Sequence, residues 1–220
     1  MEYCALGTLK AILKNRMKPF QDADTAFLLH ETLQALRYIH DAGFIHRDIK
    51  TTNIMLKQNF RIKVIDFGLV VRADARPANR AGSKCYMAPE VIRQEPYGAK
   101  VDIWSVGCVA QELFEGQPPY RELGMMKGLF KTATVGACGL RQPTKALPEF
   151  VDFLGHCFAF SPDERFSAEQ LLAVCFFIFS FLFLLLTFTF AVLRKPHTKH
   201  PFMKQAKNSI IRERSEKVIA

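Results

Sequence analysis

No Cys-x-x-Cys pair occurs among the six cysteines, Cys4, Cys85, Cys108, Cys138, Cys157 and Cys175, which excludes the usual zinc-ligand spacings and the disulfide framework of a small secreted domain. Reduced cytosolic thiols fit such a scatter. A basic stretch followed by an apolar run is missing after Met1, where Glu2 opens a mixed segment, so a secretory leader has no support at this end. Internal repeats and low-complexity linkers are absent too, and solenoid architectures go with them. Acidic residues are the minority, 21 against 30 Lys and Arg, for a formal net charge of +9. That excess suits phosphate-bearing ligands, nucleic acid or anionic membrane. No zinc-finger spacing or aromatic RNA-binding signature accompanies it, and part of it lies in the tail 194–217. A solvated basic face, with no nucleic acid as partner, is the reading.

What is present points to one folded domain, or one domain with an appendage, in 220 residues of which 49% are hydrophobic and 23% charged. Between Asp22 and Asp41, Ala23, Ala26, Phe27, Leu29, Leu33, Leu36 and Ile39 recur at helical spacing, and Gly43 is placed to end the element. Two runs rich in branched residues, Asn53 to Leu56 and Arg61 to Ile65, frame a hairpin around the turn Lys57 to Phe60. A second long helix is predicted from Ala99 to Phe114, stopped by Gly116 with Pro118 and Pro119 beyond. Shorter helices are predicted over Leu123 to Thr132 and Leu147 to Cys157. The expectation is a mainly helical fold with one small sheet.

Between the first helix and the hairpin runs His46-Arg47-Asp48-Ile49-Lys50-Thr51-Thr52-Asn53. A strand then delivers Asp66 into Phe67-Gly68. Ala88-Pro89-Glu90 follows, then Asp102-Ile103-Trp104-Ser105-Val106-Gly107 on the second helix, and then Arg165. A lone His-Arg-Asp or Asp-Phe-Gly arises by chance in unrelated chains, but five signals in this order do not. From Met1 to about Leu172, and again over 199–204, the chain resembles the protein kinase superfamily. Met1-Glu2-Tyr3-Cys4, Gln117-Pro118-Pro119-Tyr120 and Gly128 to Thr134 resemble its sterile-20 group, which includes the p21-activated kinases.

The resemblance implies a protein-kinase-like α+β fold and transfer of the ATP γ-phosphate to protein serine or threonine hydroxyls, a reaction that needs mostly positioning and charge stabilisation. Asp48 would take the hydroxyl proton. Lys50 would neutralise the transferring phosphoryl group, and its presence points to serine or threonine as the acceptor. Ser83 would bond the catalytic loop. Asn53 and Asp66 offer hard oxygens to Mg2+, and Gly68 would permit the turn that aims Asp66 inward. Met1 falls at the gatekeeper, the backbone of Glu2 and Cys4 at the adenine hinge, and Met55 at the adenine floor. Glu90 and Arg165 would form a buried ion pair, Asp102 would hold the catalytic loop from below, and His46 would stack with Phe67. Glu112 hints at basic residues near the target hydroxyl, although the same glutamate can serve as a surface charge.

The sequence also departs from that pattern. No glycine-rich loop, strand lysine or helix glutamate precedes the hinge, so the C-lobe alone is expected, without the N-lobe sheet and with weak ATP binding. Either the gene product starts further upstream or the chain is a non-catalytic docking module or pseudokinase. Intact Asp48, Lys50, Asn53 and Asp66 favour the first. Asn79 stands where relatives carry a phosphorylatable threonine, and Ser83 is the only aliphatic hydroxyl between Asp66 and Glu90. Arg47 is therefore expected to lack a phosphate partner, and switching by loop phosphorylation is not expected. Lys84 and Tyr86 replace a usual proline and tryptophan.

Leu171 to Leu193 is nearly unbroken apolar sequence, and roughly 20 such residues span a bilayer. Three readings stay open. The run interrupts the helix that would join Leu172 to Lys199, and its Phe and Leu alternation is what a pyrimidine-rich intron encodes, so translation of a retained intron is favoured. A membrane span would export Arg194-Lys195 against the positive-inside rule. A buried core helix is the third. The expected divisions are thus kinase domain 1–172, insert 173–198, and resumed helix with basic tail 199–220. A cytoplasmic protein is expected, with a single-pass membrane form, and membrane as a partner, only if 171–193 is a genuine span. Sequencing transcripts across codons 172–199 tests this: the intron reading expects a spliced major form, and an unspliced major form refutes it.

Overall fold

The computed structural model describes residues 4, 6–15, 20 and 22–174. Met1, Glu2 and residues 175–220, with most of the apolar run and the resumed helix, lie outside the described residues. The elements in chain order are α1 (Leu9–Asn15), α2 (Asp22–Asp41), β1 (Phe44–Ile45), β2 (Ile54–Leu56), β3 (Ile62–Val64), β4 (Val71–Arg72), α3 (Pro89–Arg93), α4 (Lys100–Glu115), α5 (Met125–Val135) and α6 (Pro148–Cys157). A last helical run covers 168–174.

Helix α2 occupies the range its periodicity predicts, and Leu29, Leu33 and Leu36 turn one buried stripe toward α4. Helix α4 differs in kind. Every residue from Val101 to Leu113 is buried, so it has no solvent face and forms the axis around which α2 and α6 pack. Ile103, Val106, Val109, Ala110 and Leu113 join the α2 stripe and Phe150, Phe153 and Leu154 of α6 in the main core. Helix α5 begins at Met125 and ends at Val135, a shift toward the carboxyl terminus from the expected 123–132.

The hairpin forms from β2 and β3, with Ile54 opposite Val64 and Leu56 opposite Ile62. Asn59 Oδ1 accepts from Arg61 N at 3.2 Å and shapes its turn. The expectation of one small sheet is corrected by a second antiparallel ribbon, β1 with β4, pairing Phe44 with Arg72 and Ile45 with Val71. Strands of two residues show no alternation that a sequence could reveal. This ribbon ties two functional stretches together, because β1 leads into residues 46–53 and β4 leaves the Asp66 turn.

A second core lies under residues 69–90, built from Ile45, Ala88, Val91, Tyr97, Val101, Trp104 and Cys108. Beside it, Arg165 Nη1 donates to Glu90 Oε1 at 2.6 Å and Nη2 to Glu90 Oε2 at 3.2 Å. Both side chains are buried. The guanidinium also donates to the carbonyls of Lys100 and Ala159, and its Cζ lies 5.1 Å from the Trp104 ring centroid. An ion pair so fully bonded is costly to break on one side only, because the survivor is stranded without water. Arg165→Met is expected to cost about 3 to 5 kcal/mol, read as a lower urea midpoint with an unchanged slope, and Glu90→Gln in the same chain is expected to recover part of the loss.

Candidate active site

Residues 46–53 bridge β1 to β2, and their shape is imposed from below. Asp102, in the first turn of α4, accepts from His46 N through Oδ2 and from Arg47 N through Oδ1, each at 2.8 Å, and His40 Nε2 lies 2.9 Å from Oδ2. These partners satisfy a carboxylate with no exposed surface. They also hold Arg47 at φ 68°, a left-handed conformation that costs a non-glycine residue about 1 to 3 kcal/mol.

The next residue, Asp48, gathers the polar groups of the site. Lys50 Nζ donates to Asp48 Oδ2 at 2.6 Å and to Ser83 Oγ at 2.8 Å, while Ser83 N donates to Asp48 Oδ1 at 3.0 Å. Asn53 Nδ2 donates to both Asp48 O and Asp48 Oδ2 at 3.0 Å. Asp48 is only 7% exposed. Burial pushes its carboxyl up, but the hydrogen bonds from Lys50 and Ser83 and the Lys50 charge outweigh it and hold the group below the ordinary carboxylate range. Gly82 makes the Ser83 contact possible. It sits at φ 98°, and a Cβ there would lie 2.2 Å from Arg47 O.

Ile65 N donates to Asn53 O at 2.9 Å, which fixes the end of the second strand run beside Asn53. Asp66 follows at φ 66° and is exposed. The left-handed residue of the turn is Asp66 itself. Gly68 contributes clearance, since a Cβ on it would meet Asp66 Oδ1 at 3.3 Å, and its N–H points to that oxygen at 3.4 Å. His46 and Phe67 meet edge to face with centroids 5.1 Å apart. His46 Nδ1 accepts from Asp48 N, and its buried Nε2 has no partner.

With Asn53 Nδ2 committed to Asp48, its Oδ1 and the Asp66 carboxylate are the hard oxygen donors left at this edge. Two such donors fit Mg2+, which keeps several waters and shares its remaining positions with phosphate oxygens rather than filling an all-protein cage. Among the described residues no cluster of three or more metal-binding side chains occurs. Cys4 is buried, and Cys4 O accepts from Gly7 N at 3.1 Å. Met55, on β2, forms an isolated bridge with Thr8.

Residues 1–177 match the family model described as the protein kinase domain. The chain belongs to the protein kinase family. Among curated proteins, the serine/threonine-protein kinase pakH of Dictyostelium discoideum is 31% identical over 221 residues, covering 100% of this chain and 38% of its own length. Serine/threonine-protein kinase cst-1 of Caenorhabditis elegans is 38% identical over 174 residues, 78% of this chain and 35% of its own. Serine/threonine-protein kinase hippo of Drosophila melanogaster is 38% identical over 175 residues, 78% of this chain and 26% of its own. The sterile-20 resemblance of the sequence agrees with these relatives. The chain spans about two fifths of their length or less.

In this kinase Glu112 is neither a surface charge nor a free acceptor for a basic substrate residue, which corrects both expectations. It has no exposed surface and accepts from Lys10 Nζ at 2.6 Å, Thr51 Oγ1 at 2.9 Å and Tyr86 Oη. Burial, then the Glu112 charge and hydrogen bond, push the Tyr86 phenol well above its ordinary value, so it stays a donor. Arg47 is held by neutral acceptors. Its Nε donates to Leu69 O at 2.6 Å, and its Nη1 to Asn79 Oδ1 and Tyr97 Oη at 3.2 Å each. Sequence reasoning gave no role to His40, Thr51 or Tyr97. Tyr97 alone carried a local signal, an aromatic with a polar tip set between Pro96 and Gly98.

Asp48 is ionised where its bonds form, so its stabilising contribution is present above the unfolded-state value and lost as pH falls through the depressed folded one. Lys50→Met removes the largest opposing influence, the Lys50 hydrogen bond, together with the Lys50 charge, and leaves the burial and the Ser83 bonds. The Asp48 carboxyl midpoint, followed by carbon NMR, is expected to rise, and acid unfolding is expected to begin at higher pH.

Proposed function

We propose that this kinase chain supplies the catalytic lobe that transfers the γ-phosphate of MgATP to serine or threonine hydroxyls of proteins in the cytosol. The observation that carries the proposal is the convergence of Asp48, Lys50, Asn53 and Ser83 through five hydrogen bonds of 2.6 to 3.0 Å. Asp48, kept ionised, accepts the proton of the attacking hydroxyl and holds that oxygen in line. Lys50 sits on the same carboxylate and places its ammonium where negative charge builds on the transferring group. Asn53 Oδ1 and Asp66 would hold Mg2+, which neutralises phosphate charge when bound. Ser83 keeps Asp48 from rotating by bonding its second oxygen.

The backbone of Cys4 would form part of the adenine hinge and Met55 the adenine floor, and Thr8 adjoins Met55 through their bridge. No helix among the described residues is long and apolar enough to cross a membrane. A phosphate clamp made of a glycine-rich loop and a strand lysine completes the proposed enzyme.

In the longest reading frame that contains this chain, Asp48→Asn is expected to lower kcat for transfer to a protein hydroxyl about 10²- to 10⁴-fold, with KM for ATP nearly unchanged. Equal activity in parent and variant would overturn the role given to Asp48.

A further inference from the structure

Activation segments of this kind are commonly ordered by a phosphate that neutral side chains cannot replace charge for charge. Here residues 77–80 are tied down by uncharged acceptors. Tyr97 N donates to Pro77 O at 3.0 Å, and Tyr97 Oη donates to Asn79 O at 3.0 Å. Arg47 Nη1 reaches both Asn79 Oδ1 and Tyr97 Oη at 3.2 Å. Arg80 Nε donates to Ile92 O at 2.7 Å. Tyr97 is 5% exposed and belongs to the second core, so the bracket is anchored in rigid packing and not on a surface chain.

Three residues beyond Asn79, Gly82 presses on Arg47 O, and Ser83 bonds Asp48 and Lys50. Arg47 itself precedes Asp48 and is strained. The Asn79 amide therefore closes a short circuit: segment to Arg47, Arg47 to Asp48, Asp48 to Ser83, and Ser83 back to the segment. We propose that Asn79 and Tyr97 are positioning residues that latch the activation segment onto Arg47 without a phosphate, so that the Ser83 and Asp48 contacts persist in the unmodified chain. This rests on the kinase reading for its functional meaning but not for its geometry.

The latch is tested on the full chain by hydrogen exchange and by nitrogen NMR of the Arg47 guanidinium. Tyr97→Phe keeps the buried ring and deletes the hydroxyl, while Asn79→Ala deletes the amide. Each is expected to speed exchange of amides 79–83 about fivefold or more, the loss of one or two hydrogen bonds, with exchange across α4 unchanged. Rotation about the Arg47 Nε–Cζ bond is expected to quicken in Asn79→Ala and to return to the parent rate in Asn79→Asp, which keeps an acceptor oxygen. Unchanged exchange over 79–83 in both variants overturns the proposal, as does loosening that extends equally through α4, or failure of Asn79→Asp to restore the Arg47 signature. None of these readouts depends on phosphate transfer, so an inactive chain counts against the kinase proposal and leaves this one standing or falling by itself.

Discussion

Two buried carboxylates on one buried helix organise this molecule. Asp102 and Glu112 stand ten residues apart on α4, about 15 Å along the axis, and neither has exposed surface. A carboxylate without water must be met by donors or be neutralised. Asp102 is met by His46 N, Arg47 N and His40, and Glu112 by Thr51, Tyr86 and Lys10. The 46–53 loop is thereby suspended at both ends, residues 46–47 from one carboxylate and residue 51 from the other. Asp48 and Lys50 lie between the two points of attachment, which is why a loop of irregular backbone can present a fixed constellation.

Fixed backbone also stores strain where the chemistry is proposed. Arg47 and Asp66 both adopt left-handed φ, at 68° and 66°. Such conformations persist only where neighbouring structure determines them. For Arg47 the determinant is Asp102. For Asp66 it is the Ile65 to Asn53 backbone bond on one side and the β1–β4 ribbon on the other. That ribbon joins the stretch entering the catalytic loop to the stretch leaving the Asp66 turn, so the two strained residues share one support.

The long helices and the hairpin were legible because they repeat. The stripe of α2 and the branched runs at 54–56 and 62–64 follow the periods of 3.6 and 2, and the motifs around Asp48, Asp66 and Glu90 declare themselves by residue identity. What stayed hidden depends on partners far apart in the chain. The Glu112 contacts span 102, 61 and 26 residues, and no local pattern encodes them. A two-residue strand such as β1 or β4 is too short to alternate, and the five-residue α3 is too short for a stripe. Burial along all of 101–113 likewise needs the surrounding helices, since α4 alone reads as an ordinary amphipathic segment. The left-handed conformation of Asp66 was hidden too, because residue type predicts such backbone only on average.

The Lys10 to Glu112 pair links helix α1 to the far end of the central helix. Helix α1 also meets the 46–53 loop through its backbone, since Lys10 N donates to Thr51 O at 3.0 Å. Thr8, just ahead of the helix, bridges Met55 of β2. Without Lys10 the Glu112 carboxylate would keep only hydroxyl donors, from Thr51 and Tyr86, and no cation. Thr51 thus touches both members of the pair, its carbonyl accepting from Lys10 N and its hydroxyl donating to Glu112, so one threonine couples helix α1, helix α4 and the 46–53 loop.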